Sequence, residues 1–209
     1  MNQRTVAVLA FDDMEVLDYA GPYEVFNVAG ELSEGSFKVV SVGVTDRPVG
    51  RGGFAVIPDF TLEEAPLTDV LVVPGGQGTR RLVHDPRLTA WLRTRSESAD
   101  LVLSVCTGAL LIASAGLLVN CHATTHHGAY DELASVSPRT TVQRGPRVVA
   151  STEHIRTSAG VSAGIDASLN VVEELAGPDL RLRVVEEMEW MWPDRLDEGA
   201  PTGGGMSYL

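Results

Sequence analysis

The chain has 209 residues, 44% of them hydrophobic, and 28 acidic against 16 basic side chains leave a formal net charge of −12. That length suits one full hydrophobic core, and the charge opposes attraction to nucleic-acid backbones or anionic membrane surfaces. Two cysteines, Cys106 and Cys121, without C-x-x-C spacing imply neither a disulfide framework nor a zinc ribbon, and no unbroken run of 18 apolar residues marks a membrane span.

The opening MNQRTVAVLAFDDMEV lacks the basic, apolar, small-residue succession of a signal peptide, so a cytoplasmic location is predicted. Compact Val/Leu-rich runs at 6–11, 37–44, 70–73 and 101–105 predict strands buried on both faces of a parallel sheet. Helical patterns fall at 22–28, 86–98, 108–115, 130–134, 163–175 and 180–190. The alternation predicts an α/β fold, a mostly parallel sheet flanked by helices of flavodoxin-like type. Pro22 reads as a first-turn proline, which leaves Asp18 in the loop ahead of the first helix. Asp85-Pro86 is a cap followed by an N1 proline, and Gly177-Pro178-Asp179 separates the last two helices. RVVAS and HIRTS around Thr152-Glu153 predict a hairpin over 147–158. One domain is expected over 1–193, followed by a flexible, Gly-rich tail over 194–209.

Ligands of open α/β sheets sit beyond the carboxyl ends of the strands, where connections diverge. Two such ends are visible here, Pro74-Gly75-Gly76 and Cys106-Thr107-Gly108. The second has the strand, nucleophile, glycine, helix order of a nucleophile elbow, which exposes one side chain on a tight turn. The helix that begins there is expected to depress the thiol pKa into the range of about 3.5–7.5, making Cys106 a thiolate at neutral pH. The competing reading is a packed, structural thiol.

Five motifs in order, LDYAGPYEVF (17–26), VVPGG (72–76), SVCTGALLIASAGLL (104–118), ATTHHGAYDEL (123–133) and TSAGVSAGIDASLNVVEEL (157–175), resemble the ThiJ/PfpI superfamily of class I glutamine-amidotransferase-like proteins. Thr107 stands where peptidase members carry histidine, and Asp18 corresponds to the glutamate of deglycase-like and glyoxalase-like members. Asp18 with Cys106-Thr107-Gly108 is instead similar to the isonitrile hydratases and to the sensor domains of AraC-type regulators. A regulator is expected to continue into helix-turn-helix units, whereas this sequence ends in an acidic, glycine-rich stretch.

The hydratase resemblance implies that Cys106 attacks the terminal carbon of an isonitrile to give a thioimidate. Asp18 then shuttles protons and positions water, and an N-substituted formamide is released without metal or organic cofactor. Backbone N–H groups of Thr107 and Gly76, with Gly75 beside them, are expected to stabilise the developing anion, and the Thr107 hydroxyl to bond substrate or Asp18. The resemblance places His126 near the nucleophile; an ordinary surface or core histidine is the alternative. It also implies a homodimer acting on a small-molecule substrate, with a glyoxalase-like or deglycase-like enzyme, or a cysteine-based sensor, as the other readings.

Asp18 has a bland reading as a helix cap, and Gly75-Gly76 as a plain turn. Glu15 reads as a solvated loop charge and Glu24 as a helix residue facing away. His122, His126 and His127 lack a shared helix face and a carboxylate at ligand spacing, so no metal site is predicted. Cys121 reads as a packed thiol or a resolving partner of Cys106. Met188, Trp190, Met191 and Trp192 read as a core or dimer seam.

Overall fold

The computed structural model describes residues 3–191, so the tail expected over 194–209 and Trp192 lie outside the described residues. The elements in chain order are β1 (Arg4–Ala10), α1 (Val16–Leu32), β2 (Phe37–Gly43), β3 (Phe60–Thr61), β4 (Val70–Val73), α2 (Thr79–Leu82), α3 (Pro86–Ser98) and β5 (Leu101–Val105). There follow α4 (Gly108–Ser114), β6 (His122–Ala123), α5 (Tyr130–Val136), β7 (Thr141–Val142), β8 (Val148–Ala150), β9 (Ile155–Ser158), α6 (Ala163–Ala176) and α7 (Pro178–Glu187).

Seven strands form one sheet in the order β3-β2-β1-β4-β5-β9-β8, and every pairing is parallel except the β8–β9 hairpin. All of β4 and β5 is buried, as is β1 from Val6 onward. Helices α1, α6 and α7 pack together over one face, and α3, α4 and α5 with the short α2 cover the other. Two covered faces are why these strands are continuously apolar instead of alternating. The chain leaves β1 toward β2 on one side and then returns to β4 on the other. The switch point therefore lies between β1 and β4, where such sheets open a crevice.

Local chemistry explains the helices that the sequence predicts. The Asp85 carboxylate accepts from the N–H groups of Arg87 (2.8 Å) and Leu88 (3.3 Å), with Pro86 at N1, so α3 starts where the Asp-Pro pair places it. Gly177, at φ 90, ends α6, and Pro178 opens α7. On α6, Ile165, Leu169 and Val172 form the buried stripe.

The first helix departs from expectation. It begins at Val16, so Pro22 lies inside it and Asp18 sits in its first turn, not in a preceding loop. A proline there removes the N–H that the Asp18 carbonyl would accept, a cost of about 3 kcal/mol. Burial of Tyr19, Val25 and Phe26, each worth about 1.5–3 kcal/mol, outweighs it. Near the C-terminus Met188 and Trp190 pack against the core, the Trp190 indole donating to Asp166 Oδ1 at 3.0 Å, while Met191 is 78% exposed. Among the described residues no helix is long and apolar enough to cross a membrane.

Candidate active site

The carboxyl ends of β1, β4, β5 and β9 converge on Cys106. This residue follows β5 directly and adopts φ 56, a left-handed conformation costly for any residue with a Cβ. Several bonds hold it there. Its N–H donates to the carbonyls of Ser158 (3.2 Å) and Ala159 (3.1 Å), and its own carbonyl accepts the buried Thr125 hydroxyl at 2.7 Å. The turn is the elbow that the Cys-Thr-Gly sequence predicts, and the side chain, 6% exposed, reaches the floor of a cleft of about 320 Å³.

Asp18 is fully buried beside the sulfur. Its Oδ2 accepts the Gly75 N–H at 3.0 Å across the switch point, and the carboxyl interacts directly with the Cys106 thiol. The Val161 N–H also reaches the carboxyl, and the contacts with the thiol and with Val161 are looser than the Gly75 bond. A side chain on Gly75 would lie 2.9 Å from Asp18 Oδ2 and 2.5 Å from Thr107 N, which explains the glycine. Asp18 is therefore part of the site and not a cap; the residue at the N-cap position of α1 is Glu15, with no side-chain cap bond.

The electrostatics overturn the thiolate expectation. Burial pushes the Cys106 thiol up to about 12, and the Asp18 charge pushes in the same direction. Backbone bonds from Thr107 and Val161 oppose this without prevailing, since the two turns of α4 are a weak counterweight to desolvation. Burial likewise raises the Asp18 carboxyl to about 7, against the lowering effect of its bonds to Cys106 and Gly75. Near neutral pH the sulfur holds its proton beside a carboxyl poised to take one.

Gly75 and Gly76 stand in the site, but their N–H groups are not open to a substrate. Gly75 donates to Asp18, and Gly76 donates to the Thr107 hydroxyl at 2.8 Å, which returns its proton to the Gly76 carbonyl at 3.1 Å. That locked pair also withdraws the Thr107 hydroxyl from substrate and from Asp18. The N–H groups that do face the sulfur belong to Thr107 and Val161. Val161 went unpredicted. It adopts φ 52, rare for a β-branched residue, just after β9 and ahead of α6. The SAGVSAG stretch, a third strand-to-helix turn flanked by glycines, was the signal available in the sequence.

His126 lines the cleft wall, packed on Gly160 and stacked on His127 at 4.2 Å. Its Nδ1 accepts the Gly128 N–H at 3.1 Å, and partial burial, with His127 and Arg80, lowers its pKa. Neutral imidazole bonded this way carries its proton on Nε2. Glu15 is no solvated loop charge: it forms part of the wall and pairs with Arg51 at 2.9 Å, its side chain only 22% exposed. Glu24 is exposed on α1, facing away as predicted. Cys106 and Cys121 are both free; the Cys121 thiol contacts the Val119 carbonyl at 3.5 Å. His122 bonds Gln143 at 2.7 Å, apart from the other two histidines.

Fold and site together define a class: an α/β protein with a thiol on a strand-to-helix elbow, facing a buried carboxyl across the sheet's switch point. Residues 4–174 match the DJ-1/PfpI family, and the chain belongs to it. It is 32% identical to an isonitrile hydratase of Pseudomonas putida over 196 residues, 94% of this chain and 82% of that protein. A glutathione-independent glyoxalase of Caenorhabditis elegans, DJR-1.2, is 27% identical across 75% of this chain and 83% of its own. Among solved structures, a ThiJ/PfpI family protein from Pseudomonas syringae superimposes with a TM-score of 0.82 at 29% identity, covering 99% of this chain and 80% of that one.

Proposed function

We propose that this protein is an isonitrile hydratase that converts an isonitrile and water to an N-substituted formamide. The observation that carries the reading is the buried Asp18–Cys106 pair, a protonated thiol against a carboxyl that titrates near 7. Its support from relatives is the 32% identity to the Pseudomonas putida isonitrile hydratase along nearly the whole chain.

The terminal carbon of an isonitrile accepts a nucleophile and a proton on the same atom. Cys106 Sγ forms the S–C bond while its proton passes through Asp18 to that carbon, giving the thioimidate R–N=CH–S. Water then adds to the carbon with Asp18 as base. One water proton ends on nitrogen, the other returns to sulfur as the C–S bond breaks, and R–NH–CHO leaves. The Thr107 and Val161 N–H groups stabilise charge on sulfur as it forms and departs. A soft nucleophile and one carboxyl supply every step, so the reaction calls for no cofactor.

The test is formamide formation from an alkyl isonitrile, followed by absorbance, with wild type and Cys106→Ser. Turnover by wild type that falls below about one-thousandth in the variant is expected. Full activity in the variant removes covalent catalysis. Inertness toward isonitriles together with consumption of methylglyoxal transfers the assignment to glyoxalase chemistry, and selective oxygen addition at Cys106 by dilute peroxide without either activity transfers it to a sensor.

A further inference from the structure

Asp18 is sealed from solvent, and the charge next to it along the chain is Glu15. Glu15 holds the N-cap position of α1 with an extended backbone (φ −73, ψ 124), and Asp18 follows three residues later in the first turn. Those two positions are the ones that a helix start brings face to face. Gly75 pins both: its carbonyl accepts the Glu15 N–H at 2.9 Å, and its own N–H donates to Asp18 Oδ2 at 3.0 Å. The Glu15 side chain lines the cleft above Cys106, where Oε2 meets Arg51 Nη1. That arginine stands at the rim, 75% exposed, so water screens it and it offsets the Glu15 charge only in part.

The other charged or titratable groups around the pair are engaged elsewhere or neutral. Asp13 pairs with Arg81, Arg80 is held by both oxygens of Glu132, and His126 is neutral near pH 7. In the first turn of α6, Asp166 is taken up by Arg147. Tyr19, next to Asp18 on α1, is uncharged, burial having raised it to about 12.

From this arrangement we infer that Glu15 is a positioning residue that acts through Asp18: its fixed negative charge makes the buried carboxyl hold its proton more tightly, and so sets the pH at which the Asp18–Cys106 pair can begin the reaction. The inference rests on the acid–base role that the hydratase reading gives Asp18, and adds the group that governs it. Two negative charges held side by side repel, more strongly where protein replaces water, so Glu15 opposes ionisation of Asp18 in the same direction as burial. The carboxylate that forms is a stronger base for the thiol proton.

The experiment titrates Asp18 directly by 13C NMR of the side-chain carboxyls, its signal assigned by its loss in Asp18→Asn, and follows kcat/KM for an alkyl isonitrile across the same pH range. Wild type is compared with Glu15→Gln, which keeps the shape and an acceptor for Arg51 but removes the charge, and with Glu15→Asp, which keeps the charge. Glu15→Gln is expected to lower the Asp18 midpoint by about half a pH unit or more, to carry the rise in kcat/KM with it, and to lower the plateau; Glu15→Asp should stay close to wild type. A midpoint unchanged in Glu15→Gln, or moved as far by Glu15→Asp, overturns the inference and leaves the hydratase reading intact. A midpoint that moves as expected in protein that turns over no isonitrile upholds the coupling of Glu15 to Asp18 and rejects the hydratase reading instead.

Discussion

Burial raises both partners of the Asp18–Cys106 pair, and the sign of each shift dictates a pH profile. The carboxyl must be ionised to take the thiol proton, so kcat/KM for isonitrile hydration should rise as pH climbs through about 7 and then level off. Asp18→Asn should remove that step and lower turnover by about 10²–10⁴, the usual worth of a positioned acid–base group. A flat profile in wild type would separate Asp18 from proton transfer. The sequence placed Cys106, Thr107 and Asp18 in one site through their motifs, but it misjudged the sulfur. A helix start beside a cysteine is visible in a string of letters; the desolvation that overrides it depends on burial by the assembled fold, which is not.

At the scale of elements, the elbow is a junction that several segments hold in place. Thr125, just beyond β6, ties the carbonyl of Cys106 by a buried hydroxyl bond, opposing relaxation of the unfavourable φ. Thr125→Val keeps the shape and deletes the bond, so it should cost about 1–3 kcal/mol and reduce kcat more than it raises KM; Thr125→Ser should restore both. Equal recovery by Val and Ser would leave the bond without a role. The helix α3 offers a separate check, because its Asp85 cap is legible in the sequence and realised in the structure. Asp85→Ala should lower stability by about 1 kcal/mol in chemical denaturation without touching hydration rates. By contrast, α1 begins six residues before the proline that seemed to open it. Local rules for proline were outweighed by packing against α6, where Gly21 lies close to Ile165.

For the whole molecule, a carboxyl raised from 3.8 to about 7 binds its proton more tightly in the folded chain than in the unfolded one. That contribution is complete below pH 4 and is lost as pH rises to about 7, amounting to as much as about 4 kcal/mol. Asp18→Asn should flatten this part of the stability curve and unfold at a higher temperature than wild type at pH 8. An unchanged melting temperature at pH 8 would mean that the buried charge is better compensated than its surroundings indicate. The sequence by itself determined the layered α/β architecture, the β8–β9 hairpin and the position of the elbow. These follow from apolar runs, Asp-Pro and Gly-Pro boundaries and a Cys-Thr-Gly turn, all of which act over a few neighbouring residues. Only the tertiary structure decided which N–H groups remain free, where Asp18 sits, that Glu15 and Val161 face the cleft, and that the thiol keeps its proton. Each of those depends on residues distant in the chain, 57 positions apart for Gly75 and Asp18, brought together in a medium where removal from water sets the charge.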